Sequence, residues 1–218
     1  MKLLDEILDF LFPPVCVCCK RALSTKTEIP FCKECFALLE NCEVKENKDI
    51  KDTNVSKCYC LYRYNEYDVK GIVFHTKNYY SKRFASYIAE KTKNKLAEHN
   101  ILNQIDVITF CPRKKANIKK FGFDQAEEMA KYLSLATSIP YNKCIFRKGR
   151  AKDQKFLNSA ERKENVKNVY FFNSGIDVSE KVILLVDDVV TTGSTVKACA
   201  KLLKENGAKA VYVLSIAD

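Results

Sequence analysis

One stretch of the sequence places several groups that could bind a small anionic ligand close together. An apolar run at 182–186 leads into two adjacent carboxylates, Asp187 and Asp188, and a hydroxyl-rich stretch with one glycine follows at 191–195. Such a turn at the start of a helix collects backbone N–H groups and hydroxyls at the positive end of the helix dipole, where phosphate binds. Gly193 lets the backbone approach the ligand closely. The stretch therefore predicts a phosphate site.

The two carboxylates restrict the ligand further, because they would repel a phosphate placed directly against them. They suit sugar hydroxyls, with or without bound Mg²⁺. A molecule with a phosphate at one end and a diol in the middle, such as a ribose 5-phosphate, meets both conditions. The stretch is not a nucleotide P-loop, since it lacks GxxxxGK[ST], and it lacks the dinucleotide pattern GxGxxG. A simple helix cap would need one aspartate rather than two.

A second group of reactive side chains is the cysteines, of which the chain has 11 and of which most lie within 14–60. The spacing Cys16-x-x-Cys19 and Cys32-x-x-Cys35 can present four thiolates to one tetrahedral Zn²⁺, whereas the alternative is a set of incidental reduced thiols. A segment this short would take much of its folding free energy from the metal, so we expect a structural zinc. The other cysteines of this segment, Cys18, Cys42, Cys58 and Cys60, lack paired CxxC spacing, so a second zinc site, at Cys42, Cys58 and Cys60, is less favoured.

The bulk composition limits the class of protein. The chain has 218 residues and a formal net charge of +10, which suits an anionic partner or simply keeps the protein in solution. No apolar run approaches the roughly 20 residues of a membrane helix. The segment 3–11 has helical apolar spacing and acidic residues, unlike a signal peptide. We expect a cytoplasmic location, with the inner face of the cell membrane as an alternative.

The elements that position these groups alternate along the chain. Apolar runs at 105–111, 182–188 and 210–217 indicate buried strands, and the segments 81–98, 124–135 and 194–206 have helical patterns. A further strand region begins near residue 58, with a helix starting near Glu66, and 43–57 has the composition of a loop. This alternation predicts an α/β fold with a mostly parallel sheet, in which ligands bind beyond the carboxyl ends of the strands.

The stretch VILLVDDVVTTGST resembles the phosphoribosyl pyrophosphate (PRPP) motif of type I phosphoribosyltransferases. The whole chain resembles the ComF family, through the cysteine pairs, the segment 111–130 and the segment 150–172. The resemblance implies a type I phosphoribosyltransferase-like sheet flanked by helices, at 61–218, and a small N-terminal helix and zinc-ribbon domain at 1–60. It also implies a binding site for PRPP with Mg²⁺. The implied PRPP-binding residues are Asp187, Asp188, Thr191, Thr192, Gly193, Ser194 and Thr195.

The resemblance implies further site residues and shows two departures. The turn after the strand at 105–110 faces pyrophosphate in the phosphoribosyltransferase layout, so Pro112, Arg113 and Lys114 are candidates to bind it, with a solvated basic loop as the alternative. Lys77 matches a lysine of the family and is a candidate for the same pocket, with an ordinary surface lysine as the alternative. Phe110-Cys111-Pro112 replaces the usual Pro-Val-Pro, and Phe121 replaces an anion-binding Arg in the element that ends at Gln125. The charged segment 147–167 resembles the mobile hood that closes over the substrate, and it could equally track a nucleic-acid backbone.

Two functions follow from the resemblance and the charge. The first is PRPP binding by a competence protein that handles transforming single-stranded DNA together with DNA-uptake proteins. The second is an active phosphoribosyltransferase of nucleotide or small-molecule metabolism, without a DNA role. Thr191 stands where purine-salvage relatives carry an Asp that acts on the base, so no acceptor or catalytic base is assigned. The candidates for stacking nucleic-acid bases are Tyr59, Tyr62, Tyr64, Phe74, Tyr79 and Tyr80.

Overall fold

A computed structural model describes residues 13–45, 49–148 and 169–218. The predicted helix at 3–11 and nearly all of the predicted hood at 147–167 lie outside the described residues. No helix in the described ranges is long and apolar enough to cross a membrane. The strands are β1 (Lys57–Tyr62), β2 (Val107–Phe110), β3 (Ile145–Arg147), β4 (Tyr170–Phe172), β5 (Val182–Val189) and β6 (Ala210–Ala217).

The centre of the molecule is a four-stranded sheet in the order β1-β6-β5-β2, and every neighbouring pair in it is parallel. Strands of such a sheet are covered on both faces and are therefore almost continuously apolar. This explains why β5 and β6 could be located from the sequence. Alternate residues of β5 enter different cores: Leu184 and Val186 pack on one face of the sheet, and Ile183 and Leu185 pack on the other.

Helices cover the two faces. The helices are α1 (Lys33–Glu40), α2 (Val69–Asn78), α3 (Lys82–Glu98), α4 (Lys115–Phe121), α5 (Gln125–Thr137) and α6 (Ser194–Glu205), with a 3-10 turn at Leu102–Gln104. On one face α3 packs against α5, and on the other α6 packs against β5 and β6. Two side chains cap these helices as expected for their types. Ser81 accepts the amide of Phe84 at 3.3 Å, and Asp124 accepts the amide of Ala126 at 3.2 Å.

The N-terminal segment 13–45 packs against α3. Phe31 makes an edge-to-face contact with Tyr87, with 5.4 Å between ring centroids. Lys91 on α3 reaches Glu40 at the end of α1 with 2.7 Å between nitrogen and oxygen. Strand β1 crosses the domain boundary that we predict at residue 60, since it pairs with β6 from Lys57 onward. The division of the chain at that residue stays a prediction.

The antiparallel hairpin β3-β4 brings together the two ends of the segment between residues 148 and 169. Strand β4 of the hairpin packs against α6. Tyr170 on β4 receives a hydrogen bond from Arg147 on β3, with 3.0 Å between Nη1 and the hydroxyl oxygen. Burial raises the pKa of Tyr170, and the side chain of Thr195 lies close enough to its hydroxyl to oppose that rise. The hairpin therefore contacts one residue of the predicted phosphate loop.

Candidate functional site

The two predicted aspartates lie at the carboxyl end of β5, between β2 and β6. Asp187 is only 9% exposed and lies opposite Ser215 of β6. Its Oδ1 accepts the backbone amide of Asp188 at 2.9 Å. Burial, together with the neighbouring charge of Asp188, raises the pKa of Asp187 to about 8. Near neutral pH this carboxyl is therefore largely protonated in the free protein, and a cation or hydroxyl donors would favour its ionised form.

The structure brings Lys77 to the same place. Lys77 lies in the last turn of α2, and its Nζ is 3.2 Å from Oδ2 of Asp188. Both side chains are partly shielded from water, which strengthens the pair relative to a surface ion pair. The sequence-based placement of Lys77 facing the ligand pocket agrees with this contact, although the role in binding pyrophosphate stays a prediction.

The hydroxyl-rich stretch forms the turn between β5 and α6. A cavity of about 90 Å³ lies over it, lined by Asp187 and the run 189–196. Helix α6 begins at Ser194, so the backbone N–H groups of its first turn, which have no partner within the helix, lie beside this cavity. The hydroxyls of Thr192 and Ser194 are 2.6 Å apart. This arrangement can receive a phosphate group at a helix N-terminus, as the residue types predict.

Gly193 makes the turn possible. Its φ of +74° is left-handed, a conformation that costs other residues free energy. Space is not the constraint, because a Cβ at this position would meet its nearest atom, Cε of Lys197, at 3.5 Å, and Cγ2 of Ile50 at 3.6 Å. The requirement for glycine at residue 193 therefore comes from the backbone conformation.

The predicted pyrophosphate turn follows β2. Pro112 is buried, Arg113 is half-buried and Lys114 is exposed. The backbone amide of Arg113 donates to Oδ2 of Asp124 at 2.8 Å, and its guanidinium donates to the carbonyl of Lys77 at 2.9 Å. The guanidinium also lies over the ring of Phe121, 5.5 Å from its centroid. Arg113 is thus held beside Lys77, whereas Lys114 extends into solvent.

Asp124 is a site residue to which the sequence analysis gave no role. It is buried, and burial raises its pKa to about 6 while the amide and charge of Arg113 oppose that rise. It holds the turn at Arg113 and begins α5, so one side chain fixes both elements. The only sequence signal was an Asp three positions after Phe121, in a position typical of a helix cap. Tyr170 was also missed, because its contact with Thr195 depends on tertiary packing.

The four predicted zinc ligands converge. The sulfur atoms of Cys16, Cys19, Cys32 and Cys35 lie within 4.8 Å of one another, against about 3.8 Å expected between thiolates around one zinc. Burial would raise the pKa of the Cys16 thiol, but nearby backbone amides lower it to about 7, which favours the thiolate that a metal needs. Tyr67, just before α2, donates its hydroxyl to the sulfur of Cys35 at 3.3 Å. The residues present fit a zinc ion.

The other cysteines do not extend this group. Cys58 and Cys60 lie in the core on the α6 face of the sheet, and Cys42 belongs to the opposite core, where its thiol donates to the carbonyl of Leu38 at 3.3 Å. Among the residues that the structure describes, the four ligands named above form the one group suited to a metal. A second zinc site at Cys42, Cys58 and Cys60 is therefore not supported.

A comparison with protein-family profiles shows the family to which the chain belongs. The profile of the family described as "Phosphoribosyl transferase domain" matches residues 81–218, well over half of the chain. The chain therefore belongs to that family, and its parallel sheet and cysteine group agree with the predicted fold class. A purine phosphoribosyltransferase from Pyrococcus horikoshii is 22% identical, with 63% of this chain and 75% of that one covered and a TM-score of 0.40.

Three proteins with similar sequences indicate the group within this family that the chain resembles. Competence protein ComFC of Streptococcus pneumoniae is 33% identical over 137 residues, 62% of this chain and 54% of that protein. DNA utilization protein YhgH of Escherichia coli is 39% identical over 93 residues, 42% of this chain and 40% of the relative. Competence protein F of Haemophilus influenzae is 33% identical over 100 residues, 44% of this chain and 43% of the relative. These relatives confirm the resemblance to ComF proteins, and the chain spans about half of their length or less.

Proposed function

We propose that this chain binds PRPP together with Mg²⁺ and takes part in natural competence, where it handles transforming single-stranded DNA with DNA-uptake proteins on the cytoplasmic side of the membrane. One observation supports the proposal that the chain binds PRPP. A phosphate-sized cavity at a helix N-terminus, two adjacent carboxylates and the ammonium of Lys77 meet at the carboxyl ends of β5 and β2. The order of these groups matches the order of phosphate, diol and pyrophosphate along PRPP.

Each part of the site takes one part of the ligand. The turn 191–195 holds the 5-phosphate through backbone N–H groups and hydroxyls. Asp187 and Asp188 accept hydrogen bonds from the ribose hydroxyls, and they would hold a bound Mg²⁺, which supplies positive charge against the pyrophosphate. Lys77 exchanges its contact with Asp188 for the pyrophosphate, and Arg113 holds the backbone of Lys77 in position. Zn²⁺ at the four cysteines serves the structure of the N-terminal segment.

The competence role is supported by the names of the relatives and by the net charge of +10. Of the aromatic residues proposed to stack bases, Tyr59 and Tyr62 are buried in the core, whereas Phe74, Tyr79 and Tyr80 are exposed. The exposed set therefore remains available to a nucleic-acid strand. A DNA-binding mode through phosphates requires a steep fall of affinity with salt, and a flat salt dependence would argue against it.

Calorimetric titration with PRPP and Mg²⁺ tests the site directly. The double variant Asp187→Asn/Asp188→Asn should lose binding, because it removes the charge that meets Mg²⁺ and replaces one acceptor oxygen of each residue with an NH₂ donor. The matched control is Glu98→Gln/Glu205→Gln, which removes the same charge from exposed positions on α3 and α6. No heat from folded, zinc-loaded wild-type protein would refute PRPP binding. Pyrophosphate release with an added base or amine would favour the alternative function, an active phosphoribosyltransferase.

A further inference from the structure

A second recess lies beside the proposed PRPP site, where the end of α2 and the start of α3 meet the start of α5. Its lining includes Thr76, Tyr79, Tyr80, Phe123 and Gln125. Tyr79 is 62% exposed and Tyr80 is 50% exposed, so two aromatic rings stand in water at its rim. Neither ring is loose: Tyr79 stacks on His75 at 4.9 Å between centroids, and Tyr80 meets Phe123 edge-on at 5.6 Å. The rim therefore offers a fixed aromatic surface.

A buried acceptor without a partner lies in the lining. The side chain of Gln125 is 4% exposed, and its Nε2 is 2.6 Å from the hydroxyl of Thr76. The hydroxyl of Thr76 donates its proton to the carbonyl of Ile72 at 3.0 Å, so it can only accept a hydrogen bond from Gln125. The NH₂ group of Gln125 therefore faces Thr76, and Oε1 is the other atom of its side-chain amide. Within the described ranges Oε1 of Gln125 has no hydrogen-bond partner. A buried oxygen of this kind is costly unless a donor reaches it.

The size of the recess limits the donor. Its volume of about 20 Å³ admits one group the size of a water molecule, which is also the size of an amino group. A flat ring stacked on the tyrosines at the rim could insert an exocyclic amino group toward Gln125. Cytosine, adenine and guanine carry such a group, whereas thymine presents a carbonyl and a methyl group instead. The recess is therefore suited to some nucleobases and not to others.

The charge beside the recess suits the backbone of a nucleic acid. The run 113–120, which includes most of α4, carries one arginine and four lysines, and the lysines are exposed. None of the ion pairs between described residues involves these lysines. Phe123 follows α4 by two residues, so the basic run and the recess share an edge. The acidic residue in the lining, Glu128, is paired with Lys131 at 2.9 Å.

We propose that this recess reads an unpaired, amino-bearing nucleobase of a single nucleic-acid strand whose phosphates lie along the basic run 113–120. The ring stacks on Tyr79 and Tyr80, and the amino group donates to Oε1 of Gln125. The choice of a strand rather than a free nucleotide rests on the proposed competence function. The preference for a base with an amino group rests on the recess alone. Thr76 lines the recess, and the next residue in the chain is Lys77 of the proposed PRPP site. A strand bound at the recess would therefore pass next to the PRPP site.

The test compares oligo(dC) and oligo(dT) of equal length by fluorescence anisotropy on the full, zinc-loaded chain. Wild type should bind oligo(dC) about tenfold more tightly, as expected for one good base contact. Gln125→Met should lower the affinity for oligo(dC) to that for oligo(dT) and leave the oligo(dT) affinity unchanged, which also shows that the variant is folded. Tyr79→Leu should weaken both oligonucleotides alike, whereas Leu135→Ala, at an exposed apolar position late in α5, should weaken neither.

Three results would overturn the proposal. Equal affinities of wild type for the two oligonucleotides, or a preference that survives Gln125→Met, would mean that the recess admits only solvent. Displacement of oligo(dC) by dCMP at similar concentrations of base would mean that the site takes free nucleotides rather than a strand. The same assay distinguishes failure of this proposal from failure of the PRPP proposal. The variant Asp187→Asn/Asp188→Asn should lose PRPP binding but keep the preference for oligo(dC).

Discussion

The buried carboxyl of Asp187 leads to a prediction about stability. Its pKa of about 8 in the folded protein lies far above the ordinary value near 4 of the unfolded chain. At pH values between these two pKa values, the folded protein binds one more proton at Asp187 than the unfolded chain does. The free energy of unfolding therefore falls as pH rises, by about 1.4 kcal/mol per pH unit. Asparagine resembles the protonated acid and does not titrate. The stabilisation of Asp187→Asn relative to wild type should therefore increase by about 3 kcal/mol between pH 5 and pH 7.

Urea unfolding of both proteins at several pH values, without added Mg²⁺, measures this difference. Titrating groups that do not interact with Asp187 contribute equally to both proteins and cancel. Glu205→Gln, at an exposed position on α6, serves as the control and should leave the pH slope unchanged. A difference between Asp187→Asn and wild type that stays the same at pH 5 and pH 7 would show that Asp187 is already ionised in the free protein.

Three further outcomes follow from the site and the zinc cluster. Lys77→Met should weaken PRPP binding about tenfold by removing a charge-assisted contact, as calorimetry would show, whereas Lys201→Met on the exposed face of α6 should not. Gly193→Ala should destabilise the protein by about 1 kcal/mol in urea unfolding because of the left-handed backbone, more than Gly175→Ala does. Metal analysis should find about one zinc per chain, lost in Cys35→Ser and retained in Cys42→Ser; two zinc ions would contradict the observed grouping of the cysteines.

The main elements of the fold could be predicted because their signals are local. The predicted strand at 210–217 coincides with β6, and the predicted helix at 124–135 corresponds to α5, with Asp124 as its cap. The predicted helix at 81–98 corresponds to α3 in the same way. Continuous apolar runs and helical spacing carry this information within one segment. Helix α4 was not predicted, since its short basic sequence has no apolar face in the core.

The contacts that assemble the site depend on segments that are distant in the chain. The sequence placed Lys77 near the ligand through resemblance alone, and only the packing of α2 against the sheet shows its contact with Asp188. It also offered Arg113 as a group for pyrophosphate, whereas in the structure the guanidinium is bonded to the carbonyl of Lys77. Cys58 and Cys60 are two residues apart in strand β1, so both thiols point into the same core. The spacing of the cysteines alone could not show that these thiols are buried in the core.

Helix α2 connects the two ends of this chemistry. Tyr67, which contacts the sulfur of Cys35, lies just before its first turn, and Lys77 lies in its last turn. Its 10 residues span only about 15 Å, and a packed helix moves largely as one body. A metal that fixes the start of α2 therefore also fixes the position of Lys77. For a chain that binds both ligands, coupling of this kind is reciprocal: the factor by which zinc tightens PRPP binding is the factor by which PRPP tightens zinc binding in competition with a chelator.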